Sequence, residues 1–284
     1  MASMRDIKRR KGSIQSTQQI TKAMKLVSTV KLQRAKGRAE DSKPYFDAMY
    51  NTVTSVLAKT TGLSHPYLTG GESDKVGIIV ITSNRGLAGG YNSNIVKLIK
   101  ENGFDTEKTV IYNIGRKGRE GLSRAGYSLA GDYSDIIEDP VYVDAMNLGK
   151  IVLQDFADGK IGQIYLAYTR FKNTVVHEPT LLKLLPVEAS ADVEQTDSKA
   201  IMNFEPEEEE ALELIIPKYV NSLIFGGLIE AVASENGARM QAMDSATSNA
   251  EDMISKLSLQ YNRARQGAIT QELTEIIAGA NAIS

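Results

Sequence analysis

The chain has 284 residues, a formal net charge of −2 and no cysteine. This composition excludes disulfides and Cys-ligated metals, and two histidines far apart in sequence, His65 and His177, argue against a His-based metal site. No apolar run reads as a membrane span and the N-terminus lacks a signal-peptide core, so a soluble, cytoplasm-facing chain is expected.

Charge is unevenly spread. Residues 1–43 carry twelve cations against three anions, whereas Glu188–Glu213 holds ten carboxylates against Lys199 alone. The asymmetry predicts a basic N-terminal surface that meets something acidic.

Residues 3–60 read as one long helix, opened by a Ser3/Asp6 capping box. Its apolar stripe is thin: Ile7, Ile14, Ile20, Met24, Val27, Ala35 and Ala39, resumed after a kink at Pro44 by Tyr45, Phe46, Met49, Val53, Val56 and Leu57. Gly12 and Gly37 each cost about 1 kcal/mol against Ala. Gly62 and Pro66 end the helix.

From Lys75 the period changes. Val76–Thr82 is a short β-branched run, hence a buried strand. A Gly-rich loop, Ser83–Asn92, leads into a helix over 93–101. Thr109–Ile114, Gln163–Thr169 and Thr174–Leu185 read as further strands. Arg116–Ala125 and Val143–Phe156 read as helices, the latter with Met146, Ile151, Val152 and Phe156 inward. Residues 126–140 carry turn signals. The alternation predicts an α/β domain with a largely parallel sheet.

Residues 188–206 lack apolar periodicity and read as an acidic linker. Pro206 stands where the first residue of the next helix is expected, followed by acids that suit its dipole. The chain then reads helical to its end, through Pro217. Its stripe is Leu212, Ile216, Tyr219 and Leu223, then Met243, Ala246, Ala250, Met253, Leu257, Tyr261, Ala264 and Ala268. Some 70 residues at 1.5 Å each span roughly 100 Å, too long for a compact domain of this size.

Two thin-striped helices are unstable alone in water. Antiparallel pairing satisfies both. The expected fold is α/β plus long α: an antiparallel coiled coil of N- and C-terminal helices with an inserted Rossmann-like α/β domain. The expected divisions are 1–60, 75–187, 188–206 and 207–284. The second helix is longer by about 20 residues, so its end should project past the pair.

Catalytic patterns are wanting. Asn84–Asn92 lies between a strand and a helix, as a phosphate cradle would. Yet it matches neither the dinucleotide nor the P-loop spacing, and a tight turn is the simpler reading. No acid/base pair or Ser/His pattern stands out. The small-residue run Ala233–Ala250 suits close helix packing. Two alternatives follow from these features: a nucleotide-binding α/β enzyme with helical arms, and a coiled-coil nucleic-acid adaptor. The basic helix has no aromatic residue before Tyr45 and no recognition module, which disfavours the second.

Several motifs, in order across the chain, carry a resemblance: Ile20–Val27 (ITKAMKLV), Thr82–Asn92 (TSNRGLAGGYN), Ala233–Glu235 with Ala238–Met240, Tyr261–Gln266 (YNRARQ) and Ile269–Ala280 (ITQELTEIIAGA). Together they resemble the gamma subunit of F-type ATP synthases. The resemblance implies a central rotor shaft that couples ion flow through a membrane ring to ATP synthesis or hydrolysis by rotation. It implies one copy per complex and, as partners, the alpha and beta subunits of the catalytic hexamer, the epsilon subunit and the membrane c-ring, with no nucleic acid. It implies a non-catalytic subunit of an enzyme complex, with no cofactor and no metal, peripheral on the cytoplasmic side of a bacterial cell membrane.

For residues, Lys22, Lys25, Lys31 and Arg34 are expected to face outward to an acidic lever of beta. The resemblance places Arg263 and Gln266 against a beta catch loop. It also puts Met24, Glu272 and Glu275, which lie in the two terminal motifs, at the partner interface. Such a shaft should consume its apolar stripe internally and present a polar outer face. The chain departs from the family at Lys25, where an acid is frequent, at Asn84 in place of a common Asp, and at Gly237 inside a helix. The cysteine-bearing regulatory insertion of the chloroplast form is missing, so thiol regulation is not expected.

Overall fold

The computed structural model describes residues 4–59, 65–187 and 208–283; the expected linker, the Ser3 cap, Gly62 and Pro206 lie outside them. The elements are α1 (Met4–Lys59), α2 (Pro66–Thr69), β1 (Val76–Ile81), α3 (Tyr91–Glu101), β2 (Thr109–Ile114), α4 (Arg116–Arg124), β3 (Ser128–Asp132), a 3₁₀ turn (Ser134–Glu138), α5 (Tyr142–Ala157), β4 (Gln163–Phe171), β5 (His177–Leu185) and α6 (Glu208–Ile283). α1 runs through Pro44 and α6 through Pro217, with 56 and 76 residues respectively. The chain divides into two compact units inside these helices rather than at their ends: 1–28 with 239–284, and 29–238.

The larger unit holds a five-stranded sheet in the order β3-β2-β1-β4-β5, parallel except for the β4–β5 hairpin. Successive strand residues point to opposite faces. Ile78, Val80 and Ile111 meet Ile95 and Ile99 of α3 and Leu122 of α4. Ile79, Ile81, Tyr112, Ile164 and Leu166 face the other way, into a core closed by α5 and α6. Both faces are therefore covered, as a mostly parallel sheet requires. The α6 contribution is Leu212, Ile216, Val220, Ile224 and Leu228, all fully buried. Tyr219 and Leu223, expected on this stripe, are only half-buried, because the inward row lies one residue further on.

Backbone constraint shows most clearly at Gly115. Its φ is +98°, and a Cβ there would stand 2.1 Å from the Thr82 carbonyl oxygen. Only glycine allows β1 and the β2–α4 turn to approach this closely.

Three expectations are corrected. β3 and the 3₁₀ turn occupy part of the segment read as turns; β3 is a short edge strand with Gly131 near its end, too weak a pattern to register. On α5, Val152 and Phe156 are buried, but Met146 and Ile151 are exposed: the inward face is Ala145, Leu148, Gly149, Val152 and Phe156. Finally, α6 does contain a stretch long and apolar enough to cross a membrane, with mean hydropathy 1.4, of which 44% is buried within the protein. The residues that line the sheet core supply apolarity of this kind, so a core helix passes the same test.

Candidate functional site

In the smaller unit, α1 and α6 pair antiparallel. Gln18 Nε2 donates to Glu251 Oε1 at 3.0 Å, Thr21 and Thr247 share a hydroxyl hydrogen bond of 2.8 Å, and Lys25 Nζ stands 2.5 Å from Asp244 Oδ1. From Gln18 to Lys25 α1 advances seven residues, and from Glu251 to Asp244 α6 runs back seven. The inward positions of α1 are Ile7, Lys11, Ile14, Gln18, Thr21, Lys25 and Ser28, alternating by four and three. On α6 they are Met243, Thr247, Ala250, Ile254, Leu257, Tyr261 and Ala264, with the same alternation. This is a coiled-coil seam, but a polar one in its middle.

That seam overturns part of the expected stripe. Continuing the seven-residue repeat from Ile7 and Ile14 lands on Thr21 and Ser28, which are buried. Ile20 and Val27 are 60% and 58% exposed, with Leu26 beside them. On α6, Met253 and Ala268 are likewise exposed. The outer face is therefore not uniformly polar as expected. Its apolar row on α1 is interleaved with Lys22.

From Arg265 to Asn281 every residue of α6 is exposed. The register brings the start of α1 opposite Ala264, so this end has no partner from α1. It carries Ile269, Leu273, Ile276 and Ile277, all exposed, from 49% to 64%. Four apolar side chains at helical spacing are a stripe awaiting cover.

The candidate interface residues fall into three groups. Lys22 is exposed and Met24 is half-buried on α1. Lys25 is ion-paired with Asp244 of α6, its side chain 40% exposed. Arg263, Gln266, Glu272 and Glu275 lie exposed at the far end of α6, where Gln271 Nε2 donates to Glu275 Oε1 at 2.9 Å. In the larger unit, exposed Lys31 and Arg34 line a cleft of about 300 Å³ with Arg38, Asn84, Glu138 and Glu235. Arg38 Nη1 pairs with Asp139 Oδ1 across it at 2.5 Å. The structure thus brings Lys31 and Arg34 together. The exposed apolar rows were missed from sequence because apolarity outweighed the repeat; the strict four–three spacing would have found them.

The Gly-rich loop is held in place by side-chain hydrogen bonds. The Ser83 N–H and hydroxyl both donate to Asn92 Oδ1, at 2.9 and 3.0 Å. Asn84 Nδ2 donates to the Ser134 carbonyl, and Asn84 Oδ1 accepts from the Arg116 N–H. Thr82 Oγ1 accepts from the Gly118 N–H at 2.9 Å. Thr82 and Asn84 thus satisfy N–H groups at the α4 N-terminus, whereas α3, into which the loop leads, begins at Gly90 without a side-chain cap. In doubly wound sheets a ligand crevice forms where strand order reverses, here outside the C-terminal ends of β1 and β4. That place is filled by α6. A Cβ on Gly227 would stand 2.9 Å from Leu166, and Ser234 Oγ donates to the Thr169 carbonyl. The geometry therefore does not favour the nucleotide-enzyme alternative.

A coiled coil with a polar seam and exposed apolar rows in one unit, and an α/β unit whose strand-end crevice is filled by its own helix in the other, are the parts of a structural element of an assembly. The family model described as ATP synthase matches residues 3–283. The chain is 65% identical to the ATP synthase gamma chain of Lachnoclostridium phytofermentans, covering 100% of both chains. It is 40% identical to the sodium-ion-specific ATP synthase gamma chain of Acetobacterium woodii, over 99% of each. A solved Euglena gracilis mitochondrial ATP synthase contains a chain of the same fold, with TM-score 0.69 and 19% identity over 99% of this chain and 94% of that one. The chain belongs to the ATP synthase gamma-chain family, in its bacterial form.

Proposed function

We propose that this gamma chain is the central rotor shaft of its ATP synthase, coupling ion flow through a membrane ring to the alpha/beta hexamer by rotation. The chain itself supplies no catalytic group; it forces catalytic sites on its partners through successive states. It acts as one copy per complex, with alpha and beta around the paired helices and epsilon and the c-ring at the α/β unit. It is peripheral to the cell membrane on the cytoplasmic side.

The observation that carries this reading is the unpaired end of α6. A helix of roughly 20 residues with an exposed apolar stripe is not stable alone in water, so a partner must enclose it. A collar of hexamer subunits supplies that enclosure while leaving the helix free to turn. Arg263 and Gln266 then face a beta catch loop, and Met24, Glu272 and Glu275 complete the contact. Lys22, Lys31 and Arg34 offer cations to an acidic lever of beta; Lys25 instead holds the shaft together.

Reconstitution tests the reading. Mixed with its own alpha and beta subunits, the chain should co-purify in a ratio of one to three to three. Removing residues 265–284 should weaken that assembly while the remaining chain stays folded. An unchanged yield of the hexamer complex after truncation would overturn it.

A further inference from the structure

The segment Glu230–Gly237 of α6 makes a dense set of contacts at the C-terminal ends of β1 and β4. The Tyr91 hydroxyl, on the first residue of α3, donates to the Ala231 carbonyl at 3.2 Å. The Phe171 N–H donates to Glu230 Oε2 at 3.3 Å. Ser234, fully buried, donates to the Thr169 carbonyl at 3.0 Å. Two structural elements, α3 and β4, thus hold two turns of one helix.

The fourth contact is steric. His177 opens β5 and pairs across the hairpin with Phe171, whose ring lies 5.9 Å from its own at 33°. Its imidazole projects onto Gly237. A Cβ at Gly237 would stand 2.6 Å from His177 Cε1 and 3.0 Å from Nε2, so any other residue would displace the ring. The Thr174 backbone gives the imidazole only a weak polar contact, short of good hydrogen-bond geometry. The contact with Gly237 is one of shape, and it needs the glycine's absence of a side chain. This explains a glycine inside a helix, where it costs about 1 kcal/mol against Ala.

We propose that His177 and Gly237 form a key and notch which, with the Ser234, Glu230 and Tyr91 hydrogen bonds, fixes the rotational register of α6 against the sheet, making His177 a positioning residue for torque transfer. The placement supports this. Hydrophobic contacts along Leu212–Leu228 are non-directional and resist sliding or twisting poorly. Interlocking shapes and directional hydrogen bonds resist both. They lie at the last turns that α6 buries against the sheet, where a twist applied to the helix must be taken up by the α/β unit. The torque role rests on the rotor reading above; the key and notch does not.

The test uses the whole ATP synthase in sealed vesicles and the full-length isolated chain, each as wild type, His177→Ala, Gly237→Val and His177→Phe. In vesicles, a potential-sensitive dye reports the membrane potential built per ATP hydrolysed. In the isolated chain, amide hydrogen exchange reports opening of residues 163–185. His177→Ala and Gly237→Val should lower the potential per ATP, with complex content unchanged, and speed hairpin exchange about tenfold. His177→Phe should retain both, because it refills the notch without ring nitrogens. Wild-type behaviour of both His177→Ala and Gly237→Val in exchange would overturn the key and notch, as would His177→Phe behaving like His177→Ala. Faster exchange with unchanged potential per ATP would overturn the torque role alone. If wild-type vesicles build no potential, the rotor reading fails, while the exchange data still judge the notch.

Discussion

Lys25 Nζ and Asp244 Oδ1 meet at 2.5 Å across the paired helices, with their side chains 40% and 58% exposed. The pair joins the two helices within the seam. Reversing Lys25→Glu places two carboxylates together and should lower the stability of the chain by about 1 kcal/mol or less, as for other exposed pairs. Adding Asp244→Lys should restore most of the loss. Denaturant melts of the single and double variants check this, and additive losses would show that the two side chains do not interact.

Gly12 and Gly37 stand in the helix without need. A Cβ at either meets nothing within 4 Å, and neither has a positive φ. Replacing each by Ala should stabilise the chain by about 1 kcal/mol through helix propensity and reduced unfolded-state freedom. The urea midpoint should rise with an unchanged slope. Gly237 makes the contrast: the same substitution there should destabilise.

Arg263 is exposed where the pairing of α6 with α1 ends, and Gln266 just beyond it. Changing either to Ala should leave the melting temperature of the isolated chain within about 1 °C, as for surface sites in general. In the reconstituted hexamer the same changes should lower ATPase turnover. Stable variants with normal turnover would remove these residues from the proposed catch-loop contact.

Acid should loosen the hairpin through His177. Burial lowers its pKa below the ordinary 6.5, with a smaller opposing effect from the Thr174 backbone. The unfolded chain therefore binds this proton more readily than the folded one. The stabilising contribution is complete above pH 6.5 and is lost as pH falls through the folded pKa. Comparing wild type with His177→Phe between pH 7.5 and pH 5 isolates it. The wild type should lose the greater stability on acidification, seen as a larger drop in melting temperature.

The strands were legible because each has a strong period. Val76–Ile81 is an unbroken run of apolar residues and glycine and Thr109–Ile114 a mostly β-branched and aromatic one, both buried on both faces. β3 was not, since its five residues alternate exposed and half-buried at a sheet edge. The seam of the paired helices misled for a physical reason. Thr21 and Ser28 are buried, the Thr21 hydroxyl bonding to Thr247 and to the Gln18 carbonyl, while Ile20 and Val27 are exposed. A partner outside the chain reverses the usual inside-outside rule, and one sequence does not contain that partner. Gly237 was noticed as an oddity, but its cause, the His177 ring, lies 60 residues away and needed the fold.

Rotation of the chain inside the hexamer is the central claim, and it can be watched. Because the chain lacks cysteine, a Glu107→Cys variant gives one attachment point on the exposed surface of the α/β unit. With the alpha/beta hexamer fixed to a surface and a gold rod on this cysteine, ATP should drive unidirectional, stepwise rotation of the rod. Hydrolysis at normal rate with a stationary rod, firmly attached to an assembled complex, would contradict the account.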